Sequence, residues 1–313
     1  MKILITGATG YVGSALVQAL LEKGGSEIFT LDARPPCNEF KERVTHFEHD
    51  LTEIAGLDEK LGDINFDVVV HLAAKITGAP SDIMRVNVVG TENLLETLCK
   101  KKIRLLLFSS TSAQLYRNAQ YIPIDERHPV TPVTPYGLSK YLAEEIVIFY
   151  HRVYGLPTLI FRQVNVYGPS PTPKATVINN FIDQAINDGT ITVHGDGRQV
   201  RSFIHMSDLI QFYMRAIFHV RPEVLYGETL NISGPDDLTV KEISDIVIKY
   251  SLEEAGKKIV VRYVPLPTSS TQEIYLFKVS AEKARNLLGY KSKITAEEGI
   301  RTLIKDRIGK KGD

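Results

Sequence analysis

Three glycines, Gly7, Gly10 and Gly13, stand between the apolar run Lys2 to Thr6 and the helix-compatible stretch Val12 to Lys23. A short apolar run ended by glycine reads as a buried strand, and Gly24-Gly25 stops the helix that follows. A strand, a glycine turn and a helix N-terminus in that order make an anion site. The glycines let backbone approach a phosphate, while free helical N–H groups and the helix dipole favour negative charge. Such a turn opens a βαβ unit, so the chain is committed to an α/β fold with a parallel sheet. The spacing is Gly-x-x-Gly-x-x-Gly, one residue longer in the turn than the commonest dinucleotide fingerprint. A second strand, Glu27 to Leu31, ends in Asp32. A carboxylate there accepts hydrogen bonds from an adenosine ribose and repels a 2′-phosphate. The pattern predicts NAD as cofactor, on Gly7, Gly10, Tyr11, Val12, Gly13 and Asp32, although Arg34 keeps NADP open.

The alternation of strand and helix continues. His46 to Glu48 reads as a strand that leaves at Asp50-Leu51, where an adenine would lie, and Phe66 to Leu72 as a buried strand. The small residues of His71-Leu72-Ala73-Ala74 let backbone pass close to a cofactor, and His71 reads as a packed strand-end histidine. Ser81 to Lys100 has helical periodicity. Ile103 to Phe108 is a strand followed by Ser109-Ser110-Thr111-Ser112, hydroxyls expected at the same sheet edge as the glycine turn. After the proline-rich stretch Tyr121 to Pro135 comes Tyr136-Gly137-Leu138-Ser139-Lys140. Residues four apart share a helix face, so phenol and ammonium are expected in one site. A fixed cation favours the phenolate and would bring the phenol toward acid/base work near neutral pH. The lysine's remaining donors suit the hydroxyls of a ribose. A sixth strand, Leu156 to Phe161, runs into Arg162-Gln163-Val164-Asn165-Val166-Tyr167-Gly168-Pro169.

Beyond Pro169 the regularity loosens. Helices are expected at Val177 to Asn187, Met206 to Phe218, Val240 to Tyr250, Ser280 to Leu288 and Thr295 to Ile308, and strands at Ile191 to His194, Thr229 to Ser233 and Ile259 to Val264. Gly195 to His205 reads as a glycine turn carrying Arg198 and Arg201. Lys+Arg and Asp+Glu both number 37, so no global field recruits nucleic acid or an anionic membrane. Cys37 and Cys99 lack metal-site spacing, and no metal is expected. The apolar start at Met1 is too short for a signal peptide, and no apolar run is long enough to span a bilayer, so a cytoplasmic protein is expected.

From residue 3 to residue 208 these motifs fall in the order of a known family. The chain resembles the extended short-chain dehydrogenase/reductases, in particular the NAD-dependent nucleotide-sugar epimerase and dehydratase group that includes UDP-glucose 4-epimerase. The likeness rests on Gly7-x-x-Gly10-x-x-Gly13, Asp32, Asp50-Leu51, His71 to Ala74, Asn87, Ser110-Thr111, Tyr136-x-x-x-Lys140, Arg162, Asn165 to Pro169, and Gly195 through Arg201 to Asp208. It implies Tyr136 as acid/base, Lys140 on the nicotinamide ribose, and Thr111 on the sugar oxygen that is oxidised. It further implies cofactor contacts by Asp50, Leu51, Leu72, Ala73, Ala74 and Asn87, diphosphate contacts by Asn165 and Arg201, and a homodimer. Three departures stand out. Thr111 to Arg117 is one residue longer than the family run, so Thr111 and Ser112 compete for the substrate-binding hydroxyl. Ser112 and Ala113 stand where dehydratases carry an acidic pair, which disfavours dehydration. No second phosphate-binding arginine is found at Pro267 to Glu273.

The expected architecture is a Rossmann-type doubly wound parallel sheet (1–165 and 204–235) with a smaller, discontinuous substrate domain (166–203 and 236–313). The expected function is redox-neutral epimerisation of a nucleotide-linked sugar. The alternatives are an NAD(P)-dependent reductase or dehydrogenase of a keto-sugar or polyol, and a non-catalytic NAD-sensing regulator.

Overall fold

A computed structural model describes residues 1–116, 119–265 and 276–312. In β1 (Lys2–Thr6) Ile3 and Ile5 enter one core and Leu4 the other. A strand covered on both faces has no polar side, which is why it reads as a continuous apolar run. Then follow α1 (Tyr11–Lys23), β2 (Glu27–Asp32), β3 (Thr45–Glu48), α2 (Leu57–Leu61), β4 (Val68–His71), α3 (Pro80–Met84), α4 (Gly90–Leu98), β5 (Leu105–Thr111), α5 (Ser112–Leu115), α6 (Pro135–Tyr154) and β6 (Thr158–Gln163). The remainder comprises β7 (Asn165–Tyr167), α7 (Val177–Asp188), β8 (Thr190–His194), β9 (Val200–His205), α8 (Met206–Ile217), β10 (Glu228–Ile232), β11 (Asp237–Thr239), α9 (Val240–Ala255), β12 (Val260–Val264), α10 (Glu282–Leu288) and α11 (Ala296–Gly312).

Seven strands form one parallel sheet in the order β10-β6-β5-β4-β1-β2-β3. The doubly wound sheet expected from the sequence is present. Its order reverses between β1 and β4, and a crevice for a ligand opens at such a point, off the carboxyl ends of the strands. Thr6 pairs with His71 there, so Gly7 and Leu72 emerge side by side. One face is covered by α1, α8 and a segment running from Phe277 to Tyr290, and the other by α4 and α6. A third core joins α7, α9 and α11, next to the small sheets β11-β9-β7 and β12-β8.

Three expectations are corrected. The helix read over Ser81 to Lys100 contains a π turn at Arg85–Val89, centred on Asn87, between α3 and α4. The strand read as ending at Phe108 runs on. β5 continues through Thr111 because Ser109, Ser110 and Thr111 pair with Phe161, Arg162 and Gln163 of β6. The stretch Gly195 to His205 is a turn followed by β9, which pairs with β7 and β11; three short strands with no shared apolar period left no readable signal. Among the described residues no helix is long and apolar enough to cross a membrane.

Candidate active site

The glycine turn is packed too tightly for side chains. A Cβ on Gly7, whose φ is +69°, would lie 2.5 Å from the Ala73 nitrogen, and one on Gly13 would lie 2.2 Å from the Gly7 carbonyl oxygen. Both neighbours are backbone that cannot swing away, so glycine is required at each position. Gly10 caps α1 with no side chain, leaving the first helical N–H groups open to an anion. Beside this turn lies a cavity of about 180 Å³ lined by Gly7, Gly10, Asp32, Arg34, Asp50, Leu51, Leu72, Ala73 and Ala74. It also takes in Val86, the residue before Asn87. Asp32 Oδ2 accepts hydrogen bonds from Thr9 Oγ1 (2.7 Å) and Thr9 N (3.2 Å), and Arg34 Nη2 donates to the same Thr9 hydroxyl (3.1 Å). Thr9 thereby orients the carboxylate and guanidinium that border the cavity. A backbone cradle closed to any Cβ, an uncapped helix N-terminus and a carboxylate one strand away fit a dinucleotide.

Asn87 does not line this cavity. It is buried, and its amide bridges Lys75 N (2.7 Å), Lys75 O (2.9 Å) and Ser139 Oγ (2.8 Å). It thus ties the loop after β4 to α6. His71 is likewise a tie, between Thr6 Oγ1 (2.6 Å) and Thr91 Oγ1 (3.0 Å), and burial pushes its pKa down to about 3, so the ring is neutral.

The start of α6 is set by Thr134, whose Oγ1 accepts from Gly137 N (3.0 Å), and by Pro135 in the first turn. Gly137 permits close packing on α5, because a Cβ there would sit 2.6 Å from the Gln114 carbonyl oxygen. Tyr136 is thereby held against the end of β5. Burial pushes its pKa up to about 12. The expected lowering by Lys140 is not seen, and the lysine explains why. Buried above the Phe108 ring, 4.1 Å from its centroid, Lys140 has its own pKa pulled down by burial to about 7, partly offset by the Glu144 charge. Burial thus disfavours the very charge that would have favoured the phenolate.

One turn further along α6, Glu144 is fully buried against the Arg162 guanidinium. Arg162 Nη2 and Nε donate to Glu144 Oε2 at 2.6 and 3.0 Å, and Nη1 donates to Tyr116 Oη (2.7 Å), which donates to Asn231 Oδ1 (3.1 Å). This chain links α6, β6 and β10. It went unread in the sequence because its four members are far apart along the chain.

A second cavity, of about 320 Å³, lies on the other side of the glycine turn. Tyr11 and Val12 face it rather than the first cavity, together with Thr111, Gln114, Tyr136, Gln163, Asn165, Lys174 and Phe203. Thr111 and Ser112, alike in sequence, are separated here. Thr111 reaches the cavity wall, whereas Ser112 opens α5, is fully buried and is not on the wall. Arg201 is not on the wall either. It stands two residues before Phe203 on β9, with Nη1 donating to Val200 O (2.9 Å). Asn165 pairs with Phe203 and donates to Ser202 O (3.3 Å). Lys174 was missed by the sequence reading because a single lysine in a proline-rich bend has no signature. The stretch Pro267 to Glu273 lies outside the described residues.

A model of the NAD dependent epimerase/dehydratase family matches residues 3–233. The chain belongs to that family. It is 33 % identical to a putative UDP-glucose 4-epimerase of Methanocaldococcus jannaschii, over 96 % of this chain and 97 % of that one. The structure of UDP-glucose 4-epimerase from Thermotoga maritima with UDP-glucose superposes with a TM-score of 0.88 at 25 % identity, covering all of both chains. UDP-glucuronic acid 4-epimerase from Bacillus cereus, in complex with UDP-glucuronic acid and NAD, gives 0.83 at 28 % identity over 98 % of this chain and 100 % of that one. The protein is an enzyme and NAD is its cofactor, as the glycine turn and Asp32 led us to expect.

The buried lysine has a consequence for stability. The unfolded chain keeps the Lys140 proton up to the ordinary lysine value of 10.5, whereas the folded free protein releases it near 7. The unfolded state binds more protons between those values, so the folded state gains stability as pH rises through that window. Lys140→Met should remove this gain. Thermal midpoints without NAD should show the variant's advantage greatest at about pH 6 and shrinking toward about pH 10. Profiles that run parallel would contradict the burial of a titrating ammonium.

Proposed function

We propose that the protein is a redox-neutral epimerase of a nucleotide-linked sugar. The observation that carries this reading is one cleft whose wall brings together Thr111 from the end of β5, Tyr136 from α6, Asn165 and Lys174, beside the glycine turn. Lys140, the residues of the first cavity and Asn87, through its tie to α6, are assigned to holding the cofactor. NAD, when bound, supplies the hydride acceptor and donor. Thr111 binds the sugar oxygen that loses its proton, and Tyr136, as the phenolate formed once the site is filled, accepts that proton and returns it after the sugar has turned. The walls exclude water while the ketone exists. The diphosphate is assigned to Asn165, Lys174 and Arg201. The cofactor half comprises 1–165 and 204–235 and the substrate half 166–203 and 236–313, with the segment from 277 to 290 packed back on the first core. No acidic residue stands at 112 or 113 to remove water, which supports epimerisation over dehydration.

The NAD-loaded protein, given a panel of UDP-sugars, should bring one of them to an equilibrium mixture of two isomers with no net absorbance of reduced nicotinamide. Tyr136→Phe should lose roughly 10²- to 10⁴-fold in turnover, with NAD affinity changed by only a few-fold. Cofactor consumed in proportion to product would replace this reading with a reductase or dehydrogenase. No turnover alongside tight NAD binding would leave a regulator.

Calorimetry with UDP tests the diphosphate assignment. A charge-assisted bond of about 1.5 to 3 kcal/mol predicts that Arg201→Ala or Lys174→Ala raises the dissociation constant roughly 10- to 150-fold. An unchanged constant removes that residue from the site.

On α6 the residues Leu138, Leu142, Phe149 and Val153 lie on one helix face and are 39 to 57 % exposed. We propose that a second copy of the chain covers them, since a self-complementary face closes into a dimer. Sedimentation should give twice the 35.0 kDa chain mass. Leu142→Glu with Phe149→Glu should return it to the monomer value, and a wild-type monomer would refute the assignment.

A further inference from the structure

The first turn of α1 works on two sides. Toward the crevice it presents the N–H groups and glycines of the cofactor turn. Away from it, Tyr11 and Ser14 are stitched to the loop that leads into α7. Tyr11 Oη donates to the Gly168 carbonyl (2.8 Å) and accepts a longer bond from Asn179 Nδ2 (3.4 Å). Ser170 Oγ donates to the Tyr11 carbonyl (2.6 Å) and lies 2.9 Å from Ser14 Oγ. Ser14 Oγ in turn accepts from Thr172 N (3.2 Å). Asn179 extends the seam by donating to the Lys174 carbonyl (3.0 Å), and Thr176 caps α7 by accepting from Asn179 N (3.3 Å). Lys174, Ala175, Thr176 and Val177 line the same cleft as Tyr136.

The base of the loop is fixed, with Gly168 against His205 and Met206, and its crest is open. Pro169, Pro171 and Pro173 lack backbone donors, and Lys174, Ala175 and Val177 are exposed. Tyr11 and Ser14 sit one and four residues beyond the Gly10 cap, so an anion held by the first turn of α1 fixes the same backbone to which the loop is bonded.

We infer that Tyr11, Ser14 and Ser170 are positioning residues that couple the two cavities, so that NAD on the glycine turn orders the 168–179 wall and tightens the substrate side. The inference rests on the proposed reading that the second cavity takes the sugar nucleotide. By reciprocity a nucleotide in that cavity tightens NAD by the same factor. The seam is a series of neutral hydrogen bonds at a loop edge, the kind of low-stability contact that a ligand can order.

Hydrogen–deuterium exchange with and without NAD tests the ordering without reference to substrate. In the wild type NAD should slow exchange across 168–180. In Ser14→Ala/Ser170→Ala that protection should vanish, although NAD still binds within a few-fold of its wild-type affinity. Calorimetry with UDP then reads the coupling. NAD should tighten UDP by roughly 5- to 150-fold in the wild type, and by a factor near one in the double variant. A merely structural seam would lower the melting temperature and leave that factor untouched. The inference is overturned if NAD does not protect 168–180 in the wild type, or if the double variant keeps the wild-type protection or factor. Protection by NAD in a protein that binds neither UDP nor any UDP-sugar would instead remove the sugar-nucleotide reading and leave the ordering in place. Should the double variant fail to fold, Tyr11→Phe, which deletes the bonds of that hydroxyl to Gly168 and Asn179, answers the same exchange measurement.

Discussion

The close approach of backbone to backbone at the reversal of the sheet is the constraint on which the rest depends. Gly7 leaves β1 against Ala73, and Gly13 lies on the Gly7 carbonyl, each with no room for a Cβ. Dense packing at this point brings the ends of β1 and β4 and the N-terminus of α1 together, and so creates a place where an anion meets unsatisfied N–H groups. Both cavities open from it. One runs over the ends of β2 and β3, the other past Tyr11 toward β5, β6 and α6.

Around that point the enzyme holds charge in a dry interior, and the charges determine one another. Glu144 and Arg162 are both buried, and such a pair is costly to break, about 3 to 5 kcal/mol when one partner is removed. Their geometry is satisfied through Tyr116 and Asn231, so the pair also ties α6 to β6 and β10. Glu144 lies one turn from Lys140 and partly restores the ammonium that burial disfavours. Tyr136 receives no comparable help and is a weaker acid than free tyrosine in the protein alone. In the proposed mechanism its activation has to come from what fills the site, which suits an enzyme that begins chemistry only once its ligands are in place.

Much of the architecture was legible because the signals were local. A buried parallel strand must be apolar throughout, a glycine turn must precede its helix, and α6 announces its start through Thr134 and Pro135. The segments that failed to show, β7, β9 and β11, are short, and their pairing depends on one another rather than on a repeating apolar pattern. The π turn at Asn87 was invisible for a related reason. It accommodates bonds to Lys75 and Ser139, residues on two other segments of the chain.

The sequence by itself determined the fold class and the position of the dinucleotide turn, since each follows from neighbours within a few positions. Only the tertiary structure decided which of two adjacent hydroxyls reaches the cleft, sending Thr111 to the wall and Ser112 into the interior as β5 gives way to α5. It alone placed Lys174 on the wall and left Arg201 off it. It also reversed the expected electrostatics of the Tyr136/Lys140 pair. Helical spacing says which groups are near each other, but their proton affinities are set by how much water and which distant charges the fold leaves around them.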